Sequence, residues 1–333
     1  MTQPGQPATR RRPPMRVAAI DCGTNAIRLL IAELHTDSAA PRLVDVHREL
    51  RIIRLGEGVD ATGTITTQAI DRAWSALSDY TAVIRASGVL TGRMVATSAA
   101  RDAANADEFA DMVRSTLGWE PEVLTGVQEA ELGFLGAVSH LDPRGGDVLL
   151  VDIGGGSTEL VAGRPSGDGV QITGSVSVDI GSVRITERIL TADPPGPDQR
   201  AAAQAWSSQV INDGLDRIDI SRVRRVVAVA GTALTVAAAV LGHTLLDPKA
   251  LEGADVPIAG IDRATTFLLR APRAQRAMLR YLHPGRVDVI GGGAMILRTV
   301  ADELARRIGV QAIAVSEHDI LDGLALSLAP LVG

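Results

Sequence analysis

Ala19-Ile20-Asp21-Cys22-Gly23-Thr24-Asn25 and Leu150-Val151-Asp152-Ile153-Gly154-Gly155-Gly156 share one pattern: two apolar residues, an aspartate, one intervening residue, then glycine. The two segments lie a little over 130 residues apart, and each runs into a second apolar stretch, residues 27–34 and 159–163. Each reads as a β-hairpin whose first strand ends in an acid and whose turn is glycine-rich. Two such hairpins at domain-sized spacing predict a duplicated α/β lobe, not a solenoid, whose repeats run roughly 20–50 residues.

Working outward, residues 43–55 alternate as a further strand region. Residues 67–87 place Ile70, Ala73, Leu77, Tyr80, Val83 and Ile84 at helical spacing. A strand at 94–97 and helical sequence over 99–117 follow. Beyond the second hairpin, the loop at 193–197 separates two helical stretches, and 223–229 is a buried strand. The pattern then predicts a strand at 287–290, a glycine turn at 291–293, a helix to Ile308, a strand near 312–315 and a final helix from about Asp319. Residues 1–14 are rich in Pro, Gln, Thr and Arg, lack apolar periodicity and are expected to be a disordered tail. They contain no secretory signal.

Composition narrows the function classes. A length of 333 residues accommodates two lobes, and 46% hydrophobic with 22% charged residues suits a soluble globular protein. Aromatics make up 2% of the chain, which disfavours base stacking on aromatic platforms. The single cysteine, Cys22, excludes an internal disulfide and a multi-cysteine metal site, and suits a reducing cytoplasm. A formal net charge of −6 works against binding nucleic-acid duplexes or anionic membranes, so attraction for a polyanion must be local. The histidines are scattered singly and give no metal spacing. The apolar run 226–241 is broken by Gly231, Thr232 and Thr235 and reads as strand, turn and buried helix, not a membrane span.

Glycine turns let successive backbone N–H groups converge on an anionic oxygen, and permit positive φ. Gly23, Thr24 and Asn25 in the first turn, and Gly154, Gly155, Gly156, Ser157 and Thr158 in the second, are therefore candidate phosphate donors. Asp21 and Asp152 would repel phosphate unless a cation lay between, and magnesium fits because it takes few carboxylates and shares phosphate oxygens. Gly231 and Thr232 open a helix after the 223–229 strand and are candidates to close the site. The chain has neither a P-loop nor a G-x-G-x-x-G dinucleotide fingerprint.

In this order the elements resemble the actin, sugar-kinase and chaperone-ATPase superfamily. IDCGTNAIRLLIAEL, VATSAARDA at 95–103, GVQEAELGFLGAV at 126–138, LVDIGGGSTELVAG at 150–163, DIGSVRITERIL at 179–190, VAGTALTVAA at 229–238 and GRVDVIGGGAMIL at 285–297 resemble the exopolyphosphatase/guanosine pentaphosphate phosphohydrolase (Ppx/GppA) family. The resemblance covers nearly all of residues 15–333. It implies two actin-like (ribonuclease H-like) lobes with an interlobe cleft, residues 15–138 and 139–311, with a C-terminal segment, about 312–333, returning to the first lobe. It also implies the short form, without a C-terminal HD-like domain.

The family's catalytic glutamate aligns with Glu129, which would orient or deprotonate the attacking water. Glu159 either holds metal or a second water, or is a strand-edge charge facing solvent. Gln128 and Glu131 depart from the usual Glu and Arg, and Cys22 and Thr24 from the usual Leu and Ser. Arg101 is the expected substrate-binding arginine, with Arg93 and Arg184 behind it. Arg273, Arg276 and Arg280, within a basic stretch that ends at Arg286, either track a polyanion or form a solvated face. The resemblance implies a cytoplasmic exopolyphosphatase that uses magnesium and acts on inorganic polyphosphate; the rival readings are guanosine pentaphosphate hydrolysis at the same site, a kinase of the superfamily and a non-catalytic sensor. A homodimer is expected from the family alone.

Overall fold

The computed structural model describes residues 14–37, 41–166 and 169–332; apart from Pro14, the predicted tail lies outside the described residues. β1 (Met15–Cys22) and β2 (Ala26–His35) form the first hairpin, closing at the Cys22–Ile27 pair. β3 (Arg42–Ile52) pairs with β2, and after the one-turn α1 (Val59–Thr62) comes α2 (Thr67–Ala86). β4 (Thr91–Ala96), α3 (Ser98–Asp102), α4 (Ala106–Leu117) and β5 (Pro121–Val123) complete a sheet of order β3-β2-β1-β4-β5.

The link to the second half is α5 (Gly126–Val138). There β6 (Asp147–Ile153), β7 (Thr158–Ser166) and β8 (Gly169–Val178) are followed by α6 (Ser182–Arg188), α7 (Pro197–Leu215), β9 (Val223–Val229) and α8 (Ala230–Leu241). Next come α9 (Pro248–Leu251), β10 (Asp255–Pro257), α10 (Ile258–Arg270), α11 (Arg273–Ala277), α12 (Ile290–Ile308), β11 (Ala312–Val315) and α13 (Ile320–Leu326). The second sheet runs β10-β11-β9-β6-β7-β8. In both sheets three antiparallel strands lead into parallel partners, so the duplication read from the two hairpins is a duplication of topology.

Each sheet buries both faces. The first packs α2, α3 and α4 on one side through Leu77, Tyr80 and Phe109, and α13 on the other through Leu321, Leu324 and Ala325. The second covers one face with the helices from α6 to α12, and the other with Ala130, Phe134, Ala137 and Val138 of α5. α5 therefore follows the first sheet in sequence but buries its apolar face on the second. Its Leu132 and Leu135 also pack against the cluster between α13 and the first sheet, so α5 bridges the two halves. α13 crosses the other way, onto the first sheet, whereas Ala312–Val315 of the predicted returning segment is a strand of the second sheet, paired with β9.

Where α5 and α13 cross, their backbones touch. A Cβ on Gly136 would stand 1.8 Å from the Asp319 carbonyl oxygen, and one on Gly323 1.8 Å from that of Leu132.

Other sequence expectations change locally. The helix expected over 99–117 breaks at 103–105, where the Asn105 amide takes both backbone groups of Ile65, as acceptor at 2.8 Å and donor at 3.0 Å. The strand expected at 287–290 is absent: Gly291, Gly292 and Gly293 lie inside the first turn of α12, not before it. They are needed for packing, since a Cβ at Gly292 would be 2.6 Å from Ile185 Cγ2 and one at Gly293 2.5 Å from Thr232 Oγ1. β8 had no counterpart in the sequence reading.

Candidate active site

The two hairpin turns close alike: Gly23 N–H donates to Ala26 O at 2.9 Å and Gly154 N–H to Ser157 O at 3.0 Å. Their tips meet between the lobes. A Cβ at Gly155 would lie 2.7 Å from Thr24 Cβ, and one at Gly156 2.7 Å from Ser98 Oγ. None of Gly23, Gly154, Gly155 and Gly156 adopts a positive φ. Gly155 and Gly156 thus serve close approach of the lobes, and the positive φ that glycine permits is not used at these turns.

Below the tips is a cleft of about 780 Å³, open to solvent. Asp21, Glu129 and Asp152 supply its acids, and Thr24, Ser98, Ser157, Ser182 and Thr232 its hydroxyls. Gly23, Asn25, Gly154, Gly155 and Gly231 present backbone to the same space. α8 and α12 both begin at its wall, at Ala230 and Ile290, which directs positive helix ends toward an entering anion. The β9–α8 elbow holds Ala230 at φ 65, a left-handed conformation that costs a non-glycine residue roughly 1–2 kcal/mol.

Glu129 sits in the first turn of α5. Thr125 caps that turn: its Oγ1 accepts from Gln128 N–H at 3.3 Å, while Gln128 Oε1 accepts from Thr125 N–H at 2.9 Å. Gln128 therefore does the work a glutamate would do at this position of a capping box, and the departure is structurally neutral. Glu131 is exposed on another side of α5, beside a groove that also includes Arg93, outside the cleft. Burial pushes the Glu129 carboxyl up to about 7, against the pull of Arg101. Arg101 Nη1 donates to Glu129 Oε2 at 3.2 Å and to Leu124 O at 2.8 Å, so this arginine holds the glutamate and does not line the cleft. Asp152 is pushed up to about 8 by burial and by the neighbouring charge of Asp319.

Two cations escaped the site reading. Arg28 Nη2 donates to Asp21 Oδ2 at 2.6 Å and its Nη1 to Asp319, tying β1, β2 and the start of α13 together. Burial opposes its charge, yet Asp319 and Asp21 raise its pKa. Arg286 lies over Gly231, where a Cβ would stand 1.7 Å from its guanidinium. Burial and the charge of Arg28 lower Arg286 to about 10, and its side chain has no hydrogen-bond partner among the described residues. Arg28 was visible as the one basic residue inside the apolar run 27–34; Arg286 was visible only as the end of the basic stretch.

Several expected residues stand elsewhere. Thr158 Oγ1 donates to Ile180 O at 2.6 Å and is fully buried, so it is no phosphate donor. Gly156 faces Thr24 and Ser98 in an adjoining crevice. Glu159 is buried and accepts from Ser177 Oγ at 2.7 Å, neither lining the cleft nor facing solvent. Arg93 pairs with Glu122, and Arg184 with Asp60 and Asp102. Arg273 binds Asp288, and Arg276 is buried against backbone carbonyls and Asp193, so neither is free to follow a polyanion. Cys22 packs in the first lobe's core, and burial raises its thiol pKa.

The expected cation can be tested against these donors. Asp21 Oδ1 is buried without a hydrogen-bond partner, and Asp152 lines the same cleft. Among the described residues no group of three or more His, Cys, Asp or Glu side chains is placed to hold an ion. Two cleft carboxylates fit a cation that keeps its waters and takes phosphate oxygens, as magnesium does, and Glu159 is not a third.

The Ppx/GppA phosphatase family pattern matches residues 31–328. Exopolyphosphatase 2 of Mycobacterium tuberculosis is 46% identical over 319 residues, covering 94% of this chain and 98% of that protein. The crystal structure of an exopolyphosphatase-like protein superposes with a TM-score of 0.89 at 38% identity, covering 97% of this chain and 100% of that one. That of the Aquifex aeolicus Ppx/GppA family member gives 0.77 at 28%, covering 96% and 99%. With a match along most of its length and two glycine hairpins meeting over an acid-lined cleft, this chain belongs to the Ppx/GppA phosphatase family.

Proposed function

We propose that the protein is a cytoplasmic exopolyphosphatase that removes the terminal phosphate of inorganic polyphosphate. The observation that carries this reading is Glu129: a carboxyl raised to about 7 faces a cleft whose other walls are hydroxyls, glycine backbone, two helix starts and an arginine without a partner. A group titrating near neutrality is matched to proton transfer at working pH.

In this reading the terminal phosphoryl group enters beneath the hairpin tips. Thr24, Asn25, Ser157, Thr232 and the Arg286 guanidinium hold its oxygens, and the start of α8 adds backbone donors. A water beside Glu129 attacks phosphorus and gives its proton to the carboxylate. The bridging P–O bond breaks, its electron pair leaves with the shortened chain, and orthophosphate is released. Arg101 fixes the carboxylate's direction. A divalent cation such as magnesium, held by Asp21 and Asp152, would neutralise charge on the phosphoryl oxygens.

Phosphate release from polyphosphate by the purified protein, with magnesium present, is the test, beside a Glu129→Gln control. Release that vanishes in the control supports the reading. Faster release from guanosine pentaphosphate would transfer the same chemistry to that substrate.

A further inference from the structure

Away from the cleft, three guanidinium groups share one concavity on the outer side of the second lobe. Arg200 in the first turn of α7, Arg270 at the end of α10 and Arg298 in the middle of α12 line a space of about 380 Å³, with Thr266, Leu269 and Met295. The lining contains no carboxylate.

Two of these arginines are held by the fold. Arg200 Nη1 donates to Pro195 O, and Arg298 Nη2 donates to Gln204 Oε1. The carboxylates nearest them act on Arg298 alone: Asp262 is 3.5 Å from its Nη1, and Asp302 feels its charge. The Arg270 side chain makes no hydrogen bond or ion pair among the described residues. Convergence of like charges is unfavourable unless a counter-charge joins them, and guanidinium forks match phosphate oxygens two at a time. The Thr266 hydroxyl adds a neutral donor, and the apolar Leu269 and Met295 wall strengthens such bonds by excluding water.

We infer that this three-arginine concavity is a second anion site, separate from the cleft, that takes a phosphoryl group of diphosphate size. It does not depend on the reaction assigned to the cleft. It is also placed to be felt there, because Leu269 packs on the first turn of α12: a Cβ on Gly291 would meet Leu269 Cδ2 at 3.3 Å, and Ile290 beside it lines the cleft.

The test counts binding equivalents of methylenediphosphonate, a diphosphate that resists hydrolysis, by equilibrium dialysis against the full chain. Wild type is compared with Arg270→Gln, an exposed position without partners, and with Arg200→Gln as a second variant. The expected result is one equivalent fewer in each variant, with an unchanged melting temperature in the absence of ligand. A crystal soaked with tungstate should show the heavy oxyanion between Arg270 and Arg298. Equal stoichiometry in wild type and both variants, no binding to wild type, or no tungstate at the arginines would overturn the assignment.

Discussion

In the proposed reaction, Glu129 is where catalysis and stability pull against each other. Its carboxyl is raised from 4.5 to about 7 by burial, so between those values the folded state keeps a proton that the unfolded state has lost. Folding stability therefore falls as pH rises through that window, by up to about 3 kcal/mol at roughly 1.4 kcal/mol per pKa unit. Glu129→Gln removes the titration: at pH 8 it should melt higher than wild type, while turnover drops by about 10²–10⁴-fold, the usual worth of a general base. The wild-type rate should climb with pH through about 7 as the carboxylate forms. A flat profile from pH 5.5 to 8 would contradict the role. Arg286→Gln should raise KM more than it lowers kcat, because in the proposed reaction the guanidinium would bind phosphoryl oxygen and take no part in proton transfer.

The resemblance made Glu129 legible at this scale, and the Asp-x-Gly hairpins gave Asp21 and Asp152. What could not be read was side-chain direction. Thr158 and Glu159 follow the second glycine turn as closely as Ser157 does, but both turn inward, to Ile180 O and to Ser177. Arg286 enters the cleft from the turn Pro284–Arg286, just before the residues that the pattern had assigned to a strand.

At the scale of elements, α5 and α13 decide the geometry. Each leaves one sheet and packs on the other, and Gly136 and Gly323 let them cross in backbone contact. Gly323→Ala would force the helices apart and should destabilise by about 1–3 kcal/mol, the usual cost of overpacking, lowering the midpoint of urea unfolding. A midpoint equal to wild type would show that the crossing tolerates a methyl group. The pattern predicted a final helix from about Asp319, while the helix that carries Glu129 came only from the resemblance. The pattern did not carry which sheet each covers, because a stripe of Ala130, Phe134 and Ala137 fits either. The glycines of α12 show the same limit: a triplet read as a turn is a helix start made thin for Ile185, Ser182 and Thr232.

Across the whole molecule, ion pairs join the lobes on either side of the cleft. Arg184 of the second lobe reaches Asp60 and Asp102 of the first, Arg188 also reaches Asp60, and Arg54 of the first reaches Asp288 of the second at 2.9 Å. Arg184 and Asp60 are largely buried, so Asp60→Ala leaves an under-compensated guanidinium at the lobe boundary. This variant should show a larger radius of gyration in solution scattering and a higher KM for a long polyanion, with both effects reduced when substrate holds the lobes together. Unchanged scattering and KM would mean that these pairs do not keep the cleft shut. The duplication of the lobe was legible from the two hairpins, but the third antiparallel strand of the second lobe, β8, was not. The closure was not, because it depends on charges 124 and 82 positions apart meeting in space.

The central claim is that Glu129 drives water onto a terminal phosphate, and it is tested most directly by orthophosphate release from long-chain polyphosphate, wild type beside Glu129→Gln. The account predicts steady release that removes one unit at a time from the chain end, rises through about pH 7 and disappears in the variant while polyphosphate binding persists. Release by Glu129→Gln at the wild-type rate, or no release by wild type with magnesium and substrate in excess, would contradict it.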